Sequence, residues 1–397
     1  MIEHALQQSV SRERTRLASM QPRKIAVLRA LQLGDLLLAV PALRAIRAEF
    51  PYAEITLIGL PWAASFVRRF ARYVDRFVEF TGYPGIAEVP VNPERSQQFL
   101  VEQRAYAYDL VIQMHGSGRI SDQLALALGG KVTAGYYEQT PPARLTLGLP
   151  YPDDQPEVLR NLGLAKLLGC HYLAPTLEFP LFDEDYAEAA QLLGQLQEKV
   201  LVDDIDRVPP AHPGEAGVAM NNTPRPLIGI HTGARPSSRR WPAEYFAQVA
   251  DFCARRFNAH IVLTGGADER STVHEVIKRM SVEPLNVAGK TSLGVLAALI
   301  SELDLFISND TGPAHIANAL QTPSVTIFGP VDPRRWAALD QTFHPIVRHP
   351  VACSPCSYWQ CPIDHRCLRW VRPEMVMHAV EHVMNCASPR GTMTCSV

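Results

Sequence analysis

The chain has 397 residues, 47% of them hydrophobic, and its 38 basic and 40 acidic residues leave a formal net charge of -2. This length favours two domains over one, and the charge balance argues against a general nucleic-acid-binding protein, which would show a basic excess. The sequence contains neither an apolar run of the roughly 18 residues that a transmembrane helix needs nor an apolar secretory segment near its start.

The first half of the chain alternates predicted strands with predicted helices. Gly34 and Asp35 are expected in a short loop after the first strand, and Pro41 is expected in the first turns of the helix that follows. This alternation indicates a mostly parallel α/β sheet. The predicted strands are residues 24–29, 54–59 and 108–114, and the predicted helices are residues 36–48 and 121–128.

The same pattern starts again after a stretch rich in Asp, Pro, Gly and Asn, which is the best candidate for a linker. We therefore expect two Rossmann-like domains facing a central cleft, with ligands bound beyond the C-terminal ends of the strands. The predicted divisions are an N-terminal extension (1–23), a first domain (24–199), a linker (200–226), a second domain (227–372) and a C-terminal helix and tail (373–397).

A polar turn in the second half stands between a predicted strand and a predicted helix. It reads Asp310-Thr311-Gly312-Pro313-Ala314-His315, and another apolar strand, residues 324–328, follows. The free backbone N–H groups at the start of such a helix favour a phosphate. His315 comes about one helical turn later and could reach the same anion. The sequence thus predicts a nucleotide-diphosphate site here.

Two motifs resemble those of glycosyltransferase family 9, the ADP-heptose:lipopolysaccharide heptosyltransferases and their relatives. The first runs from Gly34 to Arg44 and contains Asp35 and Pro41; the second is the 310–315 turn followed by Phe328-Gly329-Pro330. The resemblance extends over roughly residues 24 to 385. It implies an α/β GT-B fold, inversion at the anomeric carbon, no catalytic metal and no cofactor beyond the sugar donor. It also implies that the first domain binds the acceptor and the second binds the donor.

Asp35 matches the aspartate that removes the acceptor proton in this family, although an aspartate at this position could equally cap a helix. Gly34 is expected to allow a sharp turn and close substrate approach. Arg29 could bind an anionic acceptor or form a structural ion pair, and the sequence does not choose between these roles. Arg119, after another predicted strand, completes the acceptor candidates.

The donor candidates follow the strands of the second domain. Thr232 and the adjacent arginines Arg239 and Arg240 match a family loop that contacts the diphosphate, with the register between the two arginines left open. An arginine there would offset leaving-group charge without a metal; the alternative is a solvated basic loop. Glu269 could bind ribose hydroxyls or complement a helix N-terminus. The full set of donor candidates is Thr232, Gly233, Arg239, Arg240, Glu269, Lys290, Thr291, Asp310, Thr311, Gly312 and His315.

Four of the eight cysteines, Cys353, Cys356, Cys361 and Cys367, crowd into one short segment. Their density is typical of a zinc site, but their spacing is not that of paired C-x2-C knuckles. A structural metal site, packed reduced thiols and disulfides are all compatible with the sequence. We expect mostly reduced thiols, since the absence of an export signal predicts a cytoplasmic protein.

The sequence therefore predicts an inverting, metal-independent glycosyltransferase. By the resemblance, it would move heptose from ADP-heptose to a lipopolysaccharide core sugar or another surface glycan. A peripheral position at the inner face of the cytoplasmic membrane is compatible with this role. Two alternatives are a nucleotide-sugar 2-epimerase on the same scaffold and a non-catalytic protein that binds glycan or nucleotide.

Overall fold

A computed structural model describes residues 14–15, 17–206 and 225–386 of the chain. The chain divides into two compact units between Pro180 and Leu181. This division lies N-terminal to the predicted linker, because the helix Asp183–Asp206 packs on the second unit. Most of the predicted N-terminal extension, the middle of the predicted linker and the C-terminal tail lie outside the described residues.

The first unit is built on a six-stranded sheet in which every pair of neighbouring strands is parallel. Its strand order is β3-β2-β1-β4-β5-β6. Every residue of β4 and all but the first residue of β1 are buried, as expected for central strands covered on both faces. The strands are β1 (Lys24–Leu28), β2 (Glu54–Gly59), β3 (Arg76–Glu79), β4 (Leu110–Gln113), β5 (Val132–Tyr137) and β6 (Leu147–Pro150).

The predicted helix 36–48 is in fact two helices. Helix α1 covers Leu33–Leu37, so Asp35 lies in its first turn rather than in a loop, and α2 covers Val40–Glu49. Pro41 falls within the first two residues of α2, where its missing N–H costs no helical hydrogen bond. In one continuous helix the same proline ring would clash with the carbonyl four residues earlier, which explains the break.

The second unit repeats the architecture with its own parallel six-stranded sheet. The order is β12-β11-β10-β7-β8-β9, which read from the other edge is the same pattern as in the first unit. The predicted α/β class with two Rossmann-like domains is confirmed. The strands are β7 (Leu227–His231), β8 (His260–Thr264), β9 (Leu285–Asn286), β10 (Leu305–Asn309), β11 (Ser324–Phe328) and β12 (Ile346–Arg348).

Helices pack against these sheets within each unit. In the first unit α2 packs on the helix Glu157–Leu167. In the second unit the helix Asp183–Asp206 packs on the helix Leu293–Ser301, and the helix Pro373–Cys386 packs on the helix Ala243–Phe257 and on β11. Among the residues described, none of the helices combines the length and apolar character that crossing a bilayer requires. The remaining helices are α3 (Ala63–Arg69), α4 (Pro93–Tyr106), α5 (Ser121–Ala127), α6 (Glu157–Leu167), α7 (Asp183–Asp206), α8 (Ala243–Phe257), α9 (Arg270–Ile277), α10 (Leu293–Ser301), α11 (Gly312–Ala319), α12 (Pro333–Trp336), α13 (Arg366–Arg369) and α14 (Pro373–Cys386).

Each sheet reverses its strand order at its first strand, between β1 and β4 in the first unit and between β7 and β10 in the second. Loops that leave neighbouring strands in opposite directions open a crevice at such a point, and ligands of doubly wound sheets bind there. Asp35 follows β1, and the 310–315 turn follows β10. The fold therefore places both predicted motifs at the reversal points.

Candidate functional site

Asp35 lies at the reversal point of the first sheet, in the first turn of α1. Its Oδ2 atom accepts a hydrogen bond from the backbone N–H of Gln32 at 3.1 Å, so the carboxylate does cap the helix. The residue is half-buried. A capping bond at one oxygen holds the side chain in place and leaves the second oxygen for another donor, so capping and proton transfer are compatible at this residue.

Arg29 is buried, with 1% of its surface exposed, and its guanidinium is occupied inside the first unit. Its Nε donates to the Asp35 carbonyl at 2.8 Å, and its Nη2 pairs with Glu157 Oε1 at 3.1 Å. Its Nη1 donates to the Met114 carbonyl and, at 3.2 Å, to Asn161 Oδ1. Of the two roles open to Arg29, this geometry favours the structural ion pair, which fixes the backbone at Asp35.

The other two acceptor candidates differ in their surroundings. Gly34 lies within α1 and does not adopt a positive φ, so the sharp turn expected there is absent. Arg119 is exposed in the loop between β4 and α5. It is therefore accessible to an anionic acceptor, as Arg29 is not.

A buried polar network at the end of β4 contacts the segment between β1 and α1 and was not assigned from sequence. His115 Nδ1 accepts a hydrogen bond from the backbone N–H of Ala30 at 3.2 Å. Gln113 donates to Ser121 Oγ at 2.7 Å and to Asp122 Oδ1 at 3.2 Å. Burial raises the pKa of Asp122 to about 7, although the hydrogen bond from Gln113 opposes the shift. The network joins the two loops on either side of the reversal point.

In the second unit, Arg239, Asp310 and His315 come together. Arg239 Nη1 lies 3.3 Å from Asp310 Oδ2. Burial, together with the nearby charge of Arg239, lowers the pKa of His315 to about 4. His315 is therefore neutral at pH 7, and one ring nitrogen can donate a hydrogen bond to an anion. Three of the predicted donor residues, from two loops and one helix, thus form one cluster.

Asn309 connects the loops that flank this cluster, and sequence reasoning did not assign it. Its Nδ2 donates to the carbonyls of Thr232 and Gly233 at 2.9 and 3.1 Å, and its Oδ1 accepts from the N–H of Trp241 at 3.0 Å. The side chain is fully buried. The signal that could have identified Asn309 from the sequence is a polar residue at the last position of a buried strand.

Gly233 allows the Glu269 carboxylate to approach the end of β7. A Cβ at residue 233 would lie 1.9 Å from Glu269 Oε1. The same carboxylate accepts a hydrogen bond from the Gly266 N–H at 2.8 Å, which agrees with the predicted role at the start of a helix. Its Oε2 atom also lies 3.5 Å from His231 Nε2. Burial lowers the pKa of His231, partly offset by Glu269, and Thr264 Oγ1 contacts its other ring nitrogen at 3.0 Å.

Hydroxyl and backbone groups near the cluster fit the expected phosphate chemistry. The Thr232 hydroxyl is buried and has no hydrogen-bond partner among the described residues. Thr311 is the N-cap of α11 in extended conformation, but its side chain makes no capping bond. Gly312 begins the helix, and a proline follows it. The first turn of α11 thus retains N–H groups that the helix does not use.

The remaining donor candidates lie farther from this centre. Arg240 Nε donates to the Ala234 carbonyl at 2.8 Å, so Arg240 braces its own loop while Arg239 faces Asp310. Lys290 is exposed and Thr291 half-buried in the loop after β9. That loop is joined to the end of β8 by a bond from Gly289 N–H to the Gly265 carbonyl at 2.8 Å.

The four clustered cysteines line one cavity with about 40 Å³ of internal space. They are free thiols, and burial raises the pKa of Cys367 to about 11, with the other three thiols contributing. No three His, Cys, Asp or Glu side chains within the described ranges form a group that could hold a metal ion. Cys386 is disulfide-bonded, unlike these four.

Comparison with known proteins identifies a family whose sequence model covers more than half of the chain, including the 310–315 turn. The sequence model of glycosyltransferase family 9 (heptosyltransferase) matches residues 99–366. Lipooligosaccharide heptosyltransferase 2 of Campylobacter jejuni subsp. jejuni serotype O:6 is 30% identical over 159 residues, which are 39% of this chain and 50% of that protein. The chain therefore spans about half the length of this curated relative.

Solved structures show the fold at lower identity. A glycosyltransferase family 9 protein from Veillonella parvula superimposes with a TM-score of 0.70 at 21% identity, covering 91% of this chain and 97% of that one. ADP-heptose lipopolysaccharide heptosyltransferase II of E. coli superimposes with a TM-score of 0.65 at 19% identity, covering 91% and 98%. These likenesses extend over both units.

Proposed function

Because the chain belongs to glycosyltransferase family 9, we propose that it is an inverting glycosyltransferase that uses a nucleoside-diphosphate sugar. The observation that carries the proposal is the cluster of Arg239, Asp310 and His315 at the start of α11. A guanidinium, a neutral imidazole and unused helical N–H groups are what a departing diphosphate requires. We propose ADP-heptose as the donor because two of the proteins named above are heptosyltransferases, one of them named for ADP-heptose.

In this proposal Asp35 acts as the general base. Its carboxylate takes the proton of the acceptor hydroxyl as the hydroxyl oxygen attacks the anomeric carbon. The bond between that carbon and the phosphate oxygen breaks, the diphosphate keeps the electron pair, and the configuration inverts. Arg29 supports the step by fixing the backbone carbonyl of Asp35. A positioned base of this kind contributes about 10²–10⁴-fold in rate.

The diphosphate charge would be offset without a metal. Arg239 supplies the positive charge, and the N-terminus of α11 supplies a partial positive charge and N–H donors. The Thr232 hydroxyl, unpartnered among the described residues, can donate to a phosphate oxygen. Glu269, held beside Gly233, is suited to the ribose hydroxyls. Lys290 and Thr291, in the loop after β9, would flank the nucleobase of the donor.

We propose a lipopolysaccharide core sugar as the acceptor, bound by the first unit with Arg119 as an exposed cation. The E. coli protein, a lipopolysaccharide heptosyltransferase, supports lipopolysaccharide as the acceptor class. A lipid-linked acceptor would place the reaction at the inner face of the cytoplasmic membrane.

The test pairs donor binding with transfer. We expect calorimetry to show that ADP-heptose binds in the presence of EDTA and that UDP- and GDP-sugars do not. Asp35→Asn should bind the donor as the wild type does but transfer heptose at least roughly 100-fold more slowly. The asparagine Oδ1 can still accept the hydrogen bond from the Gln32 N–H, so the thermal midpoint of Asp35→Asn should equal that of the wild type. Wild-type rates in Asp35→Asn would refute the assigned base, and selective UDP-sugar binding would move the proposal to another donor.

A further inference from the structure

The loop that contains the four clustered cysteines, residues 351–367 and here called the thiol loop, is bonded to the loop that carries Arg239. Ser238 Oγ donates to the Tyr358 carbonyl at 2.5 Å, and the Ser238 N–H donates to the Trp359 carbonyl at 3.0 Å. His365 Nε2 lies 2.7 Å from the Ser238 carbonyl, which can only accept, so this ring nitrogen donates. Every polar group of Ser238 is therefore bound by the thiol loop.

The thiol loop is also fixed at the end of β11. The Cys356 N–H donates to the Pro330 carbonyl at 2.8 Å, and Ser354 Oγ lies 3.3 Å from the same carbonyl oxygen. Leu368, just after the loop, packs so closely on Gly329 that a Cβ there would lie 2.6 Å from its Cγ. In the sheet, β11 and β7 are the two neighbours of β10. The thiol loop thus ties together the loops on both sides of the strand that leads to Asp310.

These bonds control the position of Arg239 through its backbone. Ser238 is 3% exposed and directly precedes Arg239 in the short 3-10 turn Ser237–Arg239. The Arg239 side chain is 37% exposed, and its Nη1 atom lies 3.3 Å from Asp310 Oδ2. One long ion pair at a partly exposed site is a weak restraint. The hydrogen bonds that fix the backbone at Ser238 are the stronger restraint on the position of Arg239.

We propose that Ser238 and His365 are positioning residues for the donor diphosphate, and that the thiol loop holds Arg239 where it meets the phosphates. This inference rests on the proposed function, because it takes Arg239 as the diphosphate ligand. Ser238, Pro330 and the four cysteines line one cavity, so the thiols form part of the same support. Their role here is structural and requires no chemistry at sulfur.

The experiment compares two substitutions at one position. His365→Leu removes the donor to the Ser238 carbonyl, whereas His365→Gln keeps an N–H donor at a similar distance from the backbone. Leucine and glutamine both carry a Cβ, so at residue 365, whose φ is 59°, the two substitutions impose similar backbone strain. Affinities for ADP and AMP are measured by calorimetry on the full chain. AMP lacks the second phosphate and reports on the remainder of the site.

We expect His365→Leu to bind ADP roughly tenfold more weakly, as the loss of one hydrogen bond of ordinary strength would produce. AMP binding should change by less than roughly twofold, and His365→Gln should restore ADP binding. Ser238→Ala, which removes the hydroxyl that bonds Tyr358, should reproduce the selective loss. It provides the test if His365→Leu fails to fold.

Three outcomes separate the two proposals. If the wild type binds no ADP, the proposed function fails. If the wild type binds ADP and Arg239→Ala weakens it while His365→Leu and Ser238→Ala do not, the positioning inference alone fails. If AMP binding falls as much as ADP binding, the substitutions damage the whole site, and the assignment to the diphosphate is overturned.

Discussion

Arg239 and Asp310 lie 3.3 Å apart although 70 residues separate them along the chain, because the loops after β7 and β10 meet where the sheet order reverses. The pair directs a cation toward the first turn of α11. In the absence of a ligand, Asp310 partly neutralises this cation. A bound diphosphate would compete with the Asp310 carboxylate for the same guanidinium. Arg239 therefore links the loop after β7 to the loop after β10 in the candidate donor site.

The two adjacent arginines are expected to differ sharply in function. Arg239→Ala should weaken ADP binding by roughly tenfold to 100-fold, because charge-assisted bonds to phosphate contribute about 1.5–3 kcal/mol. Arg240→Ala, the matched control, removes a brace to the Ala234 carbonyl and should change ADP binding less than fivefold. Calorimetry at low and high salt measures both. A larger loss in Arg240→Ala would shift the assignment by one residue.

Gly233→Ala should displace the Glu269 carboxylate without unfolding the second unit. The new Cβ would overlap the far end of a flexible side chain, which can turn away, so we expect an unfolding cost of about 1–2 kcal/mol. Gly233→Ala should also weaken nucleoside binding, because the displaced Glu269 carboxylate leaves the Gly266 N–H and the predicted ribose position.

A double-mutant cycle with Glu269→Ala checks this account. If displacement of Glu269 is the mechanism, Gly233→Ala should have little further effect on adenosine or ADP affinity in the Glu269→Ala background, since both changes remove the same group. Additive losses, measured by calorimetry on the four proteins, would contradict it.

Arg29→Met should destabilise the first unit by about 3 kcal/mol, because it removes one of the two arginines that pair with the buried Glu157 carboxylate and also the donor to the Asp35 carbonyl. Urea unfolding followed by circular dichroism measures the change. Arg119→Ala serves as the comparison at an exposed arginine and should cost less than about 0.5 kcal/mol. Unchanged stability in Arg29→Met together with a raised acceptor KM would instead support direct acceptor binding by Arg29.

The buried His315 predicts a specific pH dependence of stability. Its folded pKa is about 4, below the ordinary value of 6.5, so the unfolded chain binds the proton more tightly. The stability that His315 contributes is therefore complete above pH 6.5 and is lost as the pH falls toward 4. The loss should reach about 3 kcal/mol.

The comparison of wild type with His315→Gln between pH 7 and pH 4.5 isolates this contribution, because the other titrating groups are common to both. Unfolding by urea is followed by the fluorescence of tryptophans such as Trp241 in the second unit. The wild type should lose stability relative to the variant as the pH falls. His344, whose pKa is also lowered to about 4, should still titrate in both proteins. Parallel pH curves would contradict the assignment.

Much of the fold could be predicted because long apolar strands alternate with helices. In the first unit, β3 and β6 were missed, which have four residues each and are mostly not fully buried, and so was the buried six-residue strand β5. Four residues are too few to distinguish a strand from a loop by periodicity. The break between α1 and α2 was missed because Pro41 was taken as tolerated within one helix rather than as the start of a second.

The candidate site was predicted less completely than the fold. Residues in recognisable turns, such as Asp310 and His315, could be named from spacing. Asn309 and His231 could not, because their importance comes from bonds to loops distant in the sequence. Arg29 had two roles open from sequence, and only its burial and its ion pair with Glu157 favour one of them.

The repetition of one strand order in both units has a consequence for how specificity could diversify. Each sheet presents its own pair of loops at its reversal point, after β1 and β4 in one unit and after β7 and β10 in the other. The hydrogen bonds described above for each pair join groups of the same unit. If the first unit binds the acceptor and the second binds the donor, as we propose, acceptor range and donor range can change separately, and a lineage could keep its nucleotide sugar while it acquires a new glycan.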